Sequence, residues 1–288
     1  MKHKAWSFVF FLLTAIGVVG QYAQAANLSV NCDKHDSIRE ALHLLATVNP
    51  QGPNTIAVSG SCKGNFVIQG MDRLLLITRK GASITDRSNG SLAVLDIEDS
   101  RSVTVQGFTI NGGGGGVNCG SASVCYLTGN TIQDGAGTGV GVGHGSHAFL
   151  DSNDVFQGNA AQGVNLAGSY FEASNSSFLN NGVGIRAGVG TVLLLGGTIS
   201  GSGGDGMTLL GSSTAVFRGP TITGNAGNGV HLEDGSFAGF VAASITGNLS
   251  GTDVDCAPQF PITRFVERTG GITNCVEPVS NAKLKAVE

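Results

Sequence analysis

Charge is scarce in this chain. Asp, Glu, Lys and Arg together make up 12% of its 288 residues, the balance is only −4, and no run of basic residues occurs. A nucleic-acid binder needs cations to neutralise phosphates, so no nucleic-acid partner is expected. From Gln106 to about Asp255 no ten-residue stretch has helical periodicity, which excludes the helical solenoids. The leucine and asparagine frame of leucine-rich repeats is missing, and so is the CxxC spacing that marks most cysteine metal sites. The apolar run at residues 8–19 is short for a membrane span.

What that run does resemble is an export signal. Lys2 and Lys4 precede it, and Ala23-Gln24-Ala25 behind it reads as a cleavage site. Residues 1–25 are expected to be removed, leaving a secreted or periplasmic chain with no membrane span; a retained anchor is the alternative. No cysteine follows the cleavage site directly, which argues against a lipoprotein. Losing Lys2 and Lys4 takes the net charge to about −6. Export also explains the six cysteines, since disulfides persist in oxidising compartments. Of fifteen pairings, closeness in sequence favours Cys32–Cys62, Cys119–Cys125 and Cys256–Cys275.

The central region is a repeat. It runs QGFTINGGGGGVN, GNTIQDGAGTGVGV, SNDVFQGNAAQGVNL, NSSFLNNGVGIRA, GGTISGSGGDGMTL, GPTITGNAGNGVHL and AASITGNLSGTDVD. Its first apolar anchors are Ile110, Ile132, Val155, Phe178, Ile199, Ile222 and Ile245, spaced 22, 23, 23, 21, 23 and 23 residues apart. The second anchors are Val117, Val140, Val164, Ile185, Met207, Val230 and Val254, with glycine immediately before each of the first six. Short apolar alternations split by Gly, Asn, Asp and Ser mean short strands joined by turns. The period is about half that of a propeller blade and suits one turn of a parallel β-helix. The repeats resemble those of right-handed parallel β-helix proteins, the pectate-lyase-like superfamily, over residues 55–255.

The fold class expected is therefore all-β, a single-stranded right-handed parallel β-helix of about nine or ten coils with an N-terminal capping α-helix. Residues 26–54 form the N-terminal cap, 55–255 the β-helix and 256–288 a C-terminal cap and tail. The helix spans 36–46: Ile38, Ala41, Leu42 and Leu45 share one face, and Ser37 with Glu40 makes a capping box. Its purpose would be to cover the exposed first coil. At the other end Pro258, Pro261 and residues 262–276 break the rhythm, and a frayed tail follows from Pro278.

Columns of side chains follow from stacking. Asn159, Asn181, Asn225 and Asn248, and separately Thr109, Thr131, Ser177, Thr198, Thr221 and Ser244, read as stabilising ladders. On the third strand the pairs Ala148/Leu150, Phe171/Ala173, Val192/Leu194, Ala215/Phe217 and Ala238/Phe240 point inward. Phe149, Leu193, Leu195, Val216 and Val241 then point outward, a row suited to contact with the chain's own segments or another protein. His147, Tyr170 and Phe237 sit at comparable bends, as packing or as rings for stacking on sugars.

Chemistry belongs on the second strand, where the residue after each anchor faces outward: Asn118, Gly141, Asn165, Arg186, Thr208, His231 and Asp255. Glu233 joins the last two, and Asp205 lies at a nearby bend. Arg186, His231, Asp255 and Glu233 are the catalytic candidates, with Asn165, Thr208 and Asp205 as substrate-binding candidates. The alternative is a solvated face with incidental ion pairs. The family resemblance implies polysaccharide as the partner and, in its lyases, acidic side chains that hold calcium beside a basic residue that removes a proton. Arg186 would be that base and Asp205 or Asp255 would help bind the metal, although no dense acidic cluster is present. The resemblance thus allows calcium as a cofactor without requiring one, and no metal site is assigned. Of the polygalacturonase motifs only Gly143-His144-Gly145 occurs; no DD pair or RIK is present, nor the DPHD of the alginate epimerases. Two functions remain: an exported protein that binds or processes polysaccharide, as a lyase or related enzyme if catalytic, or a non-catalytic structural or surface interaction protein.

Overall fold

A computed structural model describes residues 25–79, 81–151, 153–257, 264–265 and 273–275. Except for Ala25, the export segment lies outside the described residues, as do Pro258, Pro261 and the tail from Pro278.

The chain winds into a parallel β-solenoid of three sheets, with nine, nine and eleven strands among the described residues. One coil illustrates the rest. Thr131–Gln133 belongs to the first sheet, Thr138–Gly143 to the second and His147–Asp151 to the third. The chain then returns to the first sheet at Val155–Gln157, which pairs in parallel with Thr131–Gln133. The corners are tight enough to need left-handed backbone, as at Asp134 (φ 56°) and His144 (φ 55°). The glycine before each second anchor has a different cause. A Cβ on Gly163 would lie 2.6 Å from the Gly184 carbonyl oxygen, and one on Gly206 2.6 Å from that of Gly229. At this column successive coils touch backbone to backbone, so only glycine fits.

The core is filled in layers. The second anchors Val117, Val140, Val164, Ile185, Met207, Val230 and Val254 stack in one register and are buried. The five inward pairs of the third sheet are buried as well, with Phe217 and Phe240 stacked at 4.7 Å between centroids. In the first sheet one anchor is corrected. Val155 pairs with Thr131 and Ser177 on the outer side, while Phe156 aligns with Ile132 and Phe178 and is fully buried. Val155 and Phe156 are both apolar, so the pattern alone allows either register, and a one-residue slip exchanges the two faces. The larger ring wins the interior, where it stacks on Phe178 at 5.0 Å.

Asparagine ladders hold the bends between the first and second sheets. Asn159 Nδ2 donates to Asn181 Oδ1 at 3.0 Å, and Asn225 Nδ2 to Asn248 Oδ1 at 2.9 Å. The Thr and Ser column is in register on the outer side of the first sheet. Beside it a ladder runs through Asn111, Gln133 and Gln157, whose amides bond at 2.9 and 2.7 Å.

The cap helix runs Ile38–Val48, two residues later than the sequence pattern suggests, with Ser37 as its N-cap. Ile38, Leu42 and Leu45 pack into the same core as Val30, Ile56 and Ile68. Before it, Ala26–Asn31 already pairs in parallel with Asn54–Ser59, so the cap region contributes a strand of its own. At the far end Val254–Cys256 is the last strand of the second sheet, Arg264–Phe265 adds to the third, and Val254 bridges to Thr273. Disulfides join Cys32 to Cys62, Cys119 to Cys125 and Cys256 to Cys275. Among the described residues no helix is long and apolar enough to cross a membrane.

Candidate functional site

The outer face of the second sheet carries one continuous row. Register places Val67, Asp96, Asn118, Gly141, Asn165, Arg186, Thr208, His231 and Asp255 in line. Their backbones are locked by flanking buried anchors, and adjacent members are about 4.8 Å apart. The side chains are therefore presented from a rigid surface rather than from loops.

At the C-terminal end of the row the structure brings three candidates together. His231 Nδ1 lies 2.5 Å from Asp255 Oδ2 on the next coil, and its Nε2 lies 2.7 Å from Glu233 Oε1 on the same strand. Asp205 and Thr208 stand beside them: Thr208 Oγ1 donates to Asp205 Oδ2 at 3.0 Å, and Asn228 donates its backbone N–H to Asp205 Oδ1 at 2.8 Å. Burial alone would lower the pKa of His231. The hydrogen bond to Glu233, the charges of Asp205 and Asp255 and the hydrogen bond to Asp255 outweigh it, so the value is raised above the ordinary histidine range. Both ring nitrogens face carboxylates, and an imidazolium can donate to both. Glu233 keeps the most open carboxylate, with 36% of its side chain exposed against 21% for Asp255.

Arg186 and Asn165 form a separate pair, Arg186 Nη1 donating to Asn165 Oδ1 at 3.4 Å. Register puts Arg186 two coils from His231. The sequence pattern does not reveal Asn274, which donates Nδ2 to Asp255 Oδ1 at 2.6 Å and accepts from the Cys256 N–H at 2.7 Å. It comes from the irregular C-terminal segment, and only its place beside Cys275 hints at a role. Among the described residues there is no group of three or more His, Cys, Asp or Glu side chains that could hold a metal ion.

The outward positions of the third sheet are interrupted. Glu172 stands between Phe149 and Leu193, and Arg218 between Leu195 and Val241. An aromatic group sits at one end, where Tyr126 stacks on Phe149 at 5.2 Å and His147 lies 5.6 Å from Tyr170. Tyr170 donates its hydroxyl to Glu172 at 2.8 Å. Phe237 is in the same column as Tyr170 but three coils away.

Residues 115–258, half of the chain, match the family described as the right-handed beta helix region. Among solved structures, the A-module of the mannuronan C-5 epimerase AlgE4 of Azotobacter vinelandii is 11% identical at a TM-score of 0.43, covering 78% of this chain and 82% of its own. Pectate lyase Pel9A is 12% identical at a TM-score of 0.44, covering 89% and 78%. The search of curated proteins finds no match. Three parallel sheets wound coil upon coil, with this match over the regular repeats, place the chain in the right-handed parallel β-helix family.

Proposed function

We propose that the outer face of the second sheet binds a polysaccharide and that the Glu233–His231–Asp255 cluster transfers protons on it. The observation that carries this reading is His231 held between two carboxylates on a rigid, outward-facing row. A saccharide lying along the solenoid axis would meet a hydroxyl, an amide, a guanidinium and carboxylates at about 4.8 Å intervals. Glu233, the more exposed of the two carboxylates, would be the acid–base group, and His231 and Asp255 would hold and recharge it. The three disulfides suit an oxidising, non-cytosolic compartment.

The test is a turnover and binding screen against acidic and neutral polysaccharides with the protein and its Glu233→Gln and His231→Ala variants. Turnover that Glu233→Gln lowers at least a hundredfold, with binding retained, supports the reading. Binding without turnover reduces the cluster to recognition, and absence of binding overturns the proposal. One observation favours a non-catalytic surface role instead: both His231 nitrogens are already occupied, leaving the ring no free position toward a ligand.

A further inference from the structure

Hydrogen bonds beside Thr208 decide what that part of the row can offer a ligand. Asp205 lies in the bend between the strands Thr198–Ser200 and Met207–Leu210, three residues before Thr208. Its Oδ1 accepts from the Asn228 N–H at 2.8 Å and from Asn228 Nδ2 at 3.2 Å, and its Oδ2 accepts from Thr208 Oγ1 at 3.0 Å. The Asn228 amide is fixed in turn, because Ser250 Oγ on the following coil donates to its Oδ1 at 2.7 Å. Gly227 makes room for this packing, since a Cβ there would overlap Asp205 Oδ1. With both oxygens holding donors from its own chain, the Asp205 carboxylate is built into the bend rather than offered outward.

The consequence falls on Thr208. An ionised carboxylate only accepts, so the hydroxyl must give its one proton to Asp205, and what Thr208 keeps for a ligand is a lone pair. Glu233 is an acceptor too: His231 Nε2 occupies its Oε1, and among the described residues its Oε2 has no hydrogen-bond partner. His231 adds nothing, with a carboxylate at each ring nitrogen. The groups on the two preceding coils have the opposite character. Arg186 carries only donors, and Asn165 has spent its Oδ1 on Arg186 Nη1, which leaves it the N–H donors of Nδ2. The face therefore changes from donors at Asn165 and Arg186 to acceptors at Thr208 and Glu233, in coil steps of about 4.8 Å.

We propose that Asp205 is a positioning residue and Thr208 a specificity-determining one: the carboxylate holds the Thr208 hydroxyl as an acceptor, so that Thr208 selects a hydroxyl donor on the bound saccharide. This rests on the reading of the face as a saccharide track and adds a direction to it. Asn165 and Arg186 take saccharide oxygens as acceptors, and Thr208 and Glu233 take saccharide hydroxyls as donors. An ether or a ring oxygen placed at Thr208 sets acceptor against acceptor, which leaves both desolvated and unpaired.

Titration calorimetry with short oligomers of the polysaccharides screened above, each alongside its O-methylated form, tests this. Methylation removes the hydroxyl donors and keeps the oxygens. The native protein and Thr208→Ser should both bind a free oligomer at least tenfold tighter than its methylated form. Thr208→Val, of the same shape but without the hydroxyl, should weaken the free oligomer at least tenfold and change the methylated one by less than about twofold. Asp205→Asn keeps the acceptor for Asn228 and turns the other atom into a donor toward Thr208 Oγ1. That frees the Thr208 proton for the ligand, so the preference for the free oligomer should shrink to about twofold or less. A loss of binding to both forms in Asp205→Asn, or an unchanged preference in Asp205→Asn or Thr208→Val, overturns the proposal. A measurement without ligand keeps it separate from the saccharide reading. The Thr208 hydroxyl proton should be observable by NMR at low temperature in the native protein and be lost to solvent exchange in Asp205→Ala. Its absence from the native spectrum overturns the positioning role of Asp205. If the proton is seen but no oligomer binds, Asp205 stands as the group that orients Thr208, and the saccharide track falls together with selection by Thr208.

Discussion

His231 Nδ1 lies 2.5 Å from Asp255 Oδ2 across one coil step, with residue separation 24. The pair is a direct product of stacking: two outward positions in register, each next to a buried anchor, are set side by side by the strand pairing. Because the hydrogen bond to Glu233 and the charges of Asp205 and Asp255 outweigh the effect of burial, the pKa of His231 is raised above the ordinary value near 6.5, and the ring should keep its second proton to higher pH than a free imidazole. The stabilisation it brings is fully present below about pH 6.5 and is lost as pH rises through the raised folded value. Nitrogen chemical shifts of the ring followed against pH check this, and Asp255→Asn should move the midpoint downward. A native midpoint below 6.5 would falsify the pairing.

Asp154 presents the opposite situation. Its Oδ1 accepts from the Asn130 N–H at 2.8 Å and from Asn130 Nδ2 at 3.0 Å, but among the described residues its buried Oδ2 has no hydrogen-bond partner. Burial pushes its pKa up to about 6, against the lowering effect of those hydrogen bonds. A carboxyl whose folded pKa exceeds its unfolded one binds its proton more tightly when folded. The native state is therefore penalised above about pH 6, and the penalty disappears as pH falls toward 4. Asp154→Asn keeps the Oδ1 acceptor and removes the charge. It should stabilise the protein by about 2 kcal/mol at pH 7.5 and by little near pH 4, measured by urea unfolding at both pH values. Destabilisation at pH 7.5 would show that the charged form is solvated through the bend.

The repeat and the site differ in how far they can be read from sequence. Glycine before each of the first six second anchors is legible because a Cβ there would collide with backbone one coil away, as at Gly163 and Gly206. The alignment of His231 with Asp255, and the place of Glu233 two residues on, follow from the same period. Val155 and Phe156 are ambiguous because hydrophobicity without alternation carries no register. Asn274 and the Asn228 contact to Asp205 come from bends and the C-terminal segment, where no period operates.

The register in the first sheet can be tested through stability. Phe156 is fully buried and stacks on Phe178, whereas Val155 is half-buried on the outer side. Phe156→Ala should cost about 3–5 kcal/mol, the usual range for a ring removed from a core. Val155→Ala should cost less than about 1 kcal/mol. Denaturant midpoints of the two variants decide it, and the reverse order would move the strand by one residue.

The last disulfide ties the end of the solenoid to the candidate site. Cys256–Cys275 closes a segment of separation 19, and Asn274 beside it braces Asp255 through its side-chain amide while accepting from the Cys256 N–H. Closing a loop of this size stabilises a folded chain by about 3 kcal/mol. Replacing both cysteines by serine should lower stability by that order. It should also let Asp255 swing away from His231, bringing the His231 midpoint back toward 6.5. Asn274→Ala separates the two effects: it leaves the disulfide and most of the stability intact while still lowering the His231 midpoint. If that midpoint is unchanged in both variants, Asp255 is held by the strand alone and the C-terminal segment plays no part in the site.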